Sequence, residues 1–123
     1  MKKALSILAA AYLLVAACWA LVQGATHSKD AVITGRLSCA YCSFKTGTCT
    51  RESCQANVKH GTPVVLTDMT GSLYVLISGE KEKPLMTAER KGLLKEQVTV
   101  HGRLVKRGGM QGIYVKTMEI ANN

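Results

Sequence analysis

The amino-acid sequence predicts a mainly β protein, a small five-stranded barrel with one or two short helices behind an N-terminal signal or anchor segment. Two observations support this. Short apolar runs with strand-like alternation recur along residues 26–123 and are separated by glycine-containing or charged turns. An uncharged apolar stretch sets the first 25 residues apart from the rest. We therefore expect one barrel domain at 26–123, with a cysteine-rich insertion at 39–60.

Residues 1–25 have the composition of a secretory signal. Lys2 and Lys3 form a short basic region, and residues 4–22 that follow carry no charge. A buried helix at the start of a cytosolic domain is the competing interpretation. It is disfavoured because such a helix would be apolar on every face.

The fate of this segment has three alternatives. The sequence VAAC at 15–18 is similar to a bacterial lipobox, in which Cys18 would be lipidated. Cleavage near the small residues before 26 would instead release the domain, and an uncleaved apolar stretch would remain as a membrane anchor. Every alternative predicts an exported, periplasmic or otherwise extracytoplasmic domain, which two of them hold at a membrane.

The strands are predicted from alternation and β-branched content. Residues 31–38 form a first strand that leads into Cys39, and residues 62–68 and 73–78 form a hairpin around Gly71. The clearest pattern lies after residue 96, where apolar or small residues alternate with polar ones before a Gly-Gly turn and a last strand. The inward positions of this second hairpin are Val98, Val100, Gly102, Leu104, Ile113 and Val115.

Two segments are predicted to be helical. The second half of the cysteine segment has no proline and ends at His60-Gly61, which suits a short helix closed by glycine. Residues 84–96 place leucines and a methionine at helix-like intervals, which predicts a helix or a helical turn there, weakened by Gly92. Gly102, in the middle of a strand, is typical of a bend or bulge at a barrel corner.

The sequence VTVHGRLVKRGGMQGIYV at 98–115 resembles a strand pair of exported bacterial OB-fold domains. Cysteines followed by GTPVVLTD and GSLYVLI also resemble a group of small uncharacterised exported bacterial proteins. The resemblance extends over most of residues 31–120. It implies an OB-like barrel and no particular reaction.

Four cysteines lie within sixteen residues, in CAYCSFKTGTCTRESC at 39–54. Cys39 and Cys42 have the spacing of a metal-binding knuckle, and Cys49 with Cys54, or one of them with His60, would complete a tetrahedral set. Soft thiolates favour Zn²⁺ or Cu⁺. The alternative is two disulfides, which an oxidising compartment favours and which would stabilise a small domain. Three pairings are then open.

Two further roles for the cysteines are less favoured. Cys39-x-x-Cys42 could be a redox pair, but the residues after Cys42 predict a loop rather than the start of a helix, and the barrel is unlike a thioredoxin fold. Covalent haem requires a histidine directly after the second cysteine, where this chain has Ser43. No haem is expected.

Charge and composition narrow the function classes. Sixteen lysines and arginines against eight acidic residues give a net charge of +8, which suits an anionic partner. Nucleic acid is not expected as a partner of an exported domain with few aromatic residues. No paired carboxylates, phosphate-binding loop or nucleophile with a base stands out.

The sequence thus favours an exported, non-enzymatic binding module with a four-cysteine site for zinc or copper. The alternative is a disulfide-stapled interaction domain for an anionic partner, followed by a thiol redox protein. Oligomeric state is not predicted.

Overall fold

The computed structural model describes residues 27–45 and 49–122. The expectations for the signal segment at 1–25 and for Cys18 lie outside these residues. No helix in the described part of the chain is long and apolar enough to cross a membrane. The elements in chain order are β1 (His27–Cys39), α1 (Ala40–Phe44), α2 (Arg51–Lys59), β2 (Val64–Asp68), β3 (Leu73–Ser78), α3 (Ala88–Lys91), β4 (Gln97–Arg107) and β5 (Met110–Ile120).

Five strands close into a barrel in the order β1-β2-β3-β5-β4, which confirms the predicted mainly β, OB-like fold. Closure depends on β1, which pairs with β4 along His27 to Arg36 and with β2 from Gly35 to Cys39. The two pairings of β1 overlap at Gly35 and Arg36. A Cβ atom at Gly35 would lie 2.4 Å from the Thr67 carbonyl oxygen, so only glycine fits.

The second hairpin has the predicted alternation. Val98, Val100, Gly102 and Leu104 of β4 are buried, while the residues between them are partly or fully exposed. The β4–β5 register shifts between His101 and Gly102, which confirms the expected bulge. At Gly102 a Cβ atom would lie 2.3 Å from the Tyr114 carbonyl oxygen, so glycine allows the two backbones to approach.

The core joins the barrel interior to the insertion. Every strand supplies buried apolar side chains, and the cysteines of the insertion pack in the same cluster. The largest fully buried side chains are Leu37, Leu66, Leu94, Ile113, Val98, Val100, Cys39 and Cys54.

Of the helix or helical turn predicted over 84–96, the structure has the helical turn. Helix α3 has one turn, with Thr87 as its N-cap and Gly92 as its C-cap. Beyond it the chain folds back onto β1, where the Lys95 N–H donates to the Leu37 carbonyl at 2.7 Å. Lys95 takes a positive φ of 73° in this turn, and Leu94 fills the core from the turn rather than from a helix.

The β2–β3 turn is organised by the carboxylate of Asp68. Its Oδ1 accepts hydrogen bonds from the Thr70 hydroxyl at 2.6 Å, the Thr70 N–H at 2.9 Å and the Ser72 N–H at 3.0 Å. Its Oδ2 accepts a bond from the Tyr74 hydroxyl at 3.0 Å. The Thr70 side chain above all, with Tyr74 and the turn N–H groups, holds the pKa of Asp68 below its usual value.

We expect Asp68→Asn to lower the free energy of unfolding at neutral pH. Because the folded pKa of Asp68 lies below its unfolded value, the contribution of this carboxylate is fully present above the unfolded pKa. It is lost as the pH falls through the folded pKa, so the variant and the parent should converge in acid. Urea denaturation between pH 7 and pH 2 measures this. Asp30→Asn, which changes a carboxylate with an 84% exposed side chain, is the matched control; a parallel pH profile for both variants would refute the role of Asp68.

We expect Val100→Asp to destabilise the fold by about 3 kcal/mol or more, because it places an unpaired carboxylate inside the barrel. Thr117→Asp, on the exposed face of β5, should cost less than about 0.5 kcal/mol. Chemical denaturation of both variants measures the difference. Equal losses would contradict the assigned inward and outward faces.

Candidate metal and disulfide centre

The cysteine insertion begins where β1 ends. Cys39 is the last residue of β1 and the N-cap of α1, with its Sγ accepting the Cys42 N–H at 3.4 Å. The N–H of Ala40, the first residue of α1, donates to the Pro63 carbonyl at 2.8 Å and connects α1 to the residue before β2. The prediction of a loop directly after Cys42 is wrong for Ser43 and Phe44, because α1 continues through Phe44.

Helix α2 confirms the helix predicted in the second half of the cysteine segment. Its capping residues explain where it begins and ends. Thr50 is the N-cap, with its hydroxyl accepting the Ser53 N–H at 3.1 Å, and Gly61 turns the chain after the helix with a φ of +97°. Arg51 fixes the helix to the segment before β4: its Nε donates to the Leu94 carbonyl at 3.1 Å, and its Nη2 pairs with the Glu96 carboxylate. This docking turns Cys54 into the core.

Three of the cysteines form a sulfur cluster. The Sγ atoms of Cys39, Cys42 and Cys54 all lie within 4.8 Å of one another, and all three residues are buried. Cys39 comes from the end of β1, Cys42 from α1 and Cys54 from α2, so one strand and two helices meet here. The three-sulfur cluster is a set of soft ligands that could hold a metal ion.

The fourth cysteine joins this cluster through a disulfide. The sulfurs of Cys42 and Cys49 lie at bonding distance, with their Cα atoms 5.8 Å apart. Cys39 and Cys54 are free thiols. Cys42 thus belongs both to the three-sulfur cluster and to the disulfide, and one sulfur cannot serve both at once.

Hydrogen-bond donors point at the clustered sulfurs. The Cys39 N–H donates to the Cys54 Sγ at 3.0 Å, and the Asn57 amide lies 3.6 Å from the Cys39 Sγ and 3.9 Å from the Cys42 Sγ. The Ser38 hydroxyl lies 3.7 Å from the Cys54 Sγ. N–H groups aimed at sulfur stabilise the thiolate form and orient it, as the outer partners of metal ligands do.

Asn57 was missed by the sequence analysis. It follows Cys54 by three residues on α2, a spacing that places both side chains on one face of the helix. This spacing is the only sequence feature that links Asn57 to the cysteines. It indicates a contact with them only when α2 is known to pack this face against the end of β1.

Burial and hydrogen bonding act in opposite directions on the Cys54 thiol. Burial raises the pKa of Cys54 above its ordinary value, and the N–H of Cys39 offsets part of that increase. A positive charge beside the sulfur, such as a metal ion, would favour the thiolate and act against the effect of burial.

The structure does not bring every predicted ligand into the cluster. His60 is exposed and follows the last residue of α2, where its backbone N–H donates to the Ala56 carbonyl at 3.1 Å. Cys49 is half-buried and reaches the cluster through its bond to Cys42. Comparisons with protein-family models, with curated proteins and with solved structures found no match to this chain.

The disulfide assignment predicts a particular peptide map. Trypsin cleavage after Arg36, Lys45, Arg51 and Lys59 places Cys39 and Cys42 on peptide 37–45, Cys49 on 46–51 and Cys54 on 52–59. In oxidised protein alkylated under denaturing conditions and not reduced, we expect 37–45 linked to 46–51. Peptide 52–59 should carry a single alkyl group on Cys54. Mass spectrometry that finds 52–59 in the linked species would contradict the Cys42–Cys49 pairing.

Proposed function

We propose that the chain is an exported binding module that holds one thiophilic metal ion, Zn²⁺ or Cu⁺, in the cysteine insertion. The observation that carries this proposal is the three-sulfur cluster of Cys39, Cys42 and Cys54. A tetrahedral ion with metal–sulfur bonds of 2.3 Å separates its sulfur ligands by about 3.8 Å. Three sulfurs that already lie within 4.8 Å of one another need only a small adjustment to reach that geometry.

Cys49 is the fourth ligand in this proposal. Its sulfur touches that of Cys42 in the disulfide, so after reduction it needs only to separate from Cys42 by the distance between two ligands. His60 is less suited, because its exposed position at the end of α2 leaves it outside the buried cluster. The preferred site is therefore four thiolates, with Asn57 as an outer partner.

The surroundings of the cluster support a closed structural site. Cys39 and Cys54 are fully buried and pack in the barrel core, which keeps water away from two of the ligands. Structural sites are closed in this way, whereas a catalytic zinc keeps one position open for water or substrate. This supports a binding role over an enzymatic one.

Export and attachment to a membrane remain part of the proposal. They rest on the uncharged residues 4–22, on the lipobox-like sequence before Cys18, and on the two lysines ahead of them. A domain held in an extracytoplasmic space would meet oxidising conditions, in which the state of its thiols matters.

Metal titration of the reduced full-length chain tests the site. We expect one Zn²⁺ or Cu⁺ to bind per chain, with release of protons as the thiols ionise. Serine substitution of Cys39, Cys42, Cys49 or Cys54 should weaken binding at least about tenfold, and Asn57→Ala should weaken it less, because it removes only an outer partner.

The controls separate the two candidate fourth ligands. His60→Ala should leave the affinity unchanged, since its side chain stands outside the cluster. Loss of binding in His60→Ala with retention in Cys49→Ser would replace Cys49 by His60 as the fourth ligand. Absence of metal uptake by the fully reduced chain would reject the function.

A second candidate function is contact with an anionic surface, and a specific feature of the barrel favours it. We call the end of the barrel that carries the β4–β5 turn the hairpin end. Its exposed residues include Lys29, Lys106, Arg107 and Met110. His27, where the described chain begins, pairs with Lys106. The described chain therefore begins at this basic end, where an anionic lipid surface would be complementary in charge.

Amine footprinting of the full-length chain in vesicles tests this contact. Lys106 should react more slowly with an acylating reagent in vesicles containing anionic lipid than in zwitterionic ones, and added salt should remove the difference. Lys59, on α2 at the opposite end of β1, is the internal control. Equal labelling of Lys106 in both lipids would reject the anionic contact.

A further inference from the structure

The sulfur of Cys42 has two possible chemical roles, metal ligand and disulfide partner, and they exclude each other. This sulfur is a member of the three-sulfur cluster with Cys39 and Cys54, and it also forms the disulfide with Cys49. A metal ligand must be a thiolate with a free electron pair, whereas a disulfide sulfur is a poor ligand. When the disulfide is present, the site retains two free thiols of the four required.

We propose that the Cys42–Cys49 pair is a redox gate for metal binding: the site takes up metal when the pair is reduced and releases it when the disulfide forms. This inference rests on the proposed metal site and adds the way in which that site is regulated. Cys39 and Cys54 stay outside any disulfide in both states and act as thiolate ligands whenever Cys42 and Cys49 are available.

The chemistry balances with a low-molecular-weight disulfide as the oxidant. The thiolate of Cys49 attacks one sulfur of the oxidant, forms a mixed disulfide and expels one thiolate. The thiolate of Cys42 then attacks the Cys49 sulfur and expels the second. Two electrons pass from the protein pair to the oxidant, one protein disulfide forms, and the metal ion loses two of its four ligands. A thiol reductant reverses both steps.

Exposure decides which sulfur reacts first. Cys39 and Cys54 are 0% exposed and Cys42 is 8% exposed, whereas Cys49 is half-buried and precedes α2. Thiol–disulfide exchange requires in-line access to the attacked sulfur. Cys49 is therefore the sulfur through which an external thiol or disulfide enters, and Cys42 is the one that completes the exchange.

The connections of the four cysteines favour a gate at this pair. Cys39 ends β1 and pairs with Val64 of β2, and Cys54 lies in the core on a helix anchored by Arg51. Movement of either would disturb the barrel. Cys49 lies between α1 and α2, outside both helices, and can change its sulfur partner without a change in strand pairing.

The test uses the full-length chain in detergent, with Cys18→Ser in every arm so that only the four insertion cysteines react. Reduced protein is loaded with Zn²⁺ and then titrated with oxidised glutathione, while a chromogenic chelator reports metal release and non-reducing peptide maps report the bond formed. We expect one Zn²⁺ released for each Cys42–Cys49 bond formed. Affinity of the oxidised form should be at least about 100-fold lower, a loss larger than that caused by an outer partner. A dithiol reductant should restore uptake.

Cys49→Ser and Cys54→Ser are the matched variants. Both lose one ligand and should bind metal more weakly, but only Cys54→Ser retains the gate and should release its metal on oxidation. Zn²⁺ release from Cys49→Ser at the same oxidant concentration would overturn the assignment of the gate.

The two proposals fail in different ways. If the reduced chain takes up no metal, the metal function itself fails. If the reduced chain binds Zn²⁺ and the form with a mapped Cys42–Cys49 bond binds it equally well, the metal function stands and the gate is refuted. A bond between Cys39 and Cys54 as the species that accompanies metal release would also refute it.

Discussion

The structure depends on the way in which β1 pairs with two strands at once. Its first part pairs with β4 and its last part with β2, and the barrel closes because one strand belongs to both pairs. The overlap lies at Gly35 and Arg36, and at Gly35 the Thr67 carbonyl occupies the space of a side chain. The end of β1 is then set by its pairing with β2, and Cys39, the last residue of the strand, is held where the insertion begins.

That constraint makes the cysteine site part of the core rather than an appendage. Cys39 and Cys54 are fully buried in the same cluster as Leu37 and Val64, so the insertion covers one end of the barrel interior. A domain of this size buries a limited fraction of its surface and has little stability to spare. A bond among the sulfurs, whether to metal or between two cysteines, therefore contributes to the fold as well as to the site.

The sequence was most informative where burial repeats with the period of a strand. The alternation around Val100 and the bulge at Gly102 were predicted because one face of the strand must be apolar and one backbone contact excludes a Cβ atom. The short helix α1 was not predicted, since five residues carry too little periodicity. Over 84–96 the sequence leaves a helix and a helical turn open, because leucines that enter the core from a turn have the same spacing as leucines on a helix.

The cysteine pairing could not be obtained from the sequence for a different reason. Spacing alone leaves three disulfide pairings and several ligand sets open. What separates the cysteines is the element that each belongs to: a strand end, two helices and the segment between them. The docking of α2 by Arg51 determines that Cys54 meets Cys39, and neither Arg51 nor Asn57 belongs to a recognisable motif.

The four sulfurs divide into two pairs: Cys39 and Cys54 are free, and Cys42 and Cys49 are bonded to each other. Cys39 and Cys54 are held by backbone pairing and helix docking, and the Cys39 N–H donates to the Cys54 sulfur at 3.0 Å. Cys49 directly precedes the Thr50 cap of α2, and its sulfur is bonded to that of Cys42. Two of the four proposed ligands, Cys39 and Cys54, are positioned by the fold. The other two, Cys42 and Cys49, can bond to each other. The insertion can therefore change its chemical state while the strand pairing that closes the barrel stays the same.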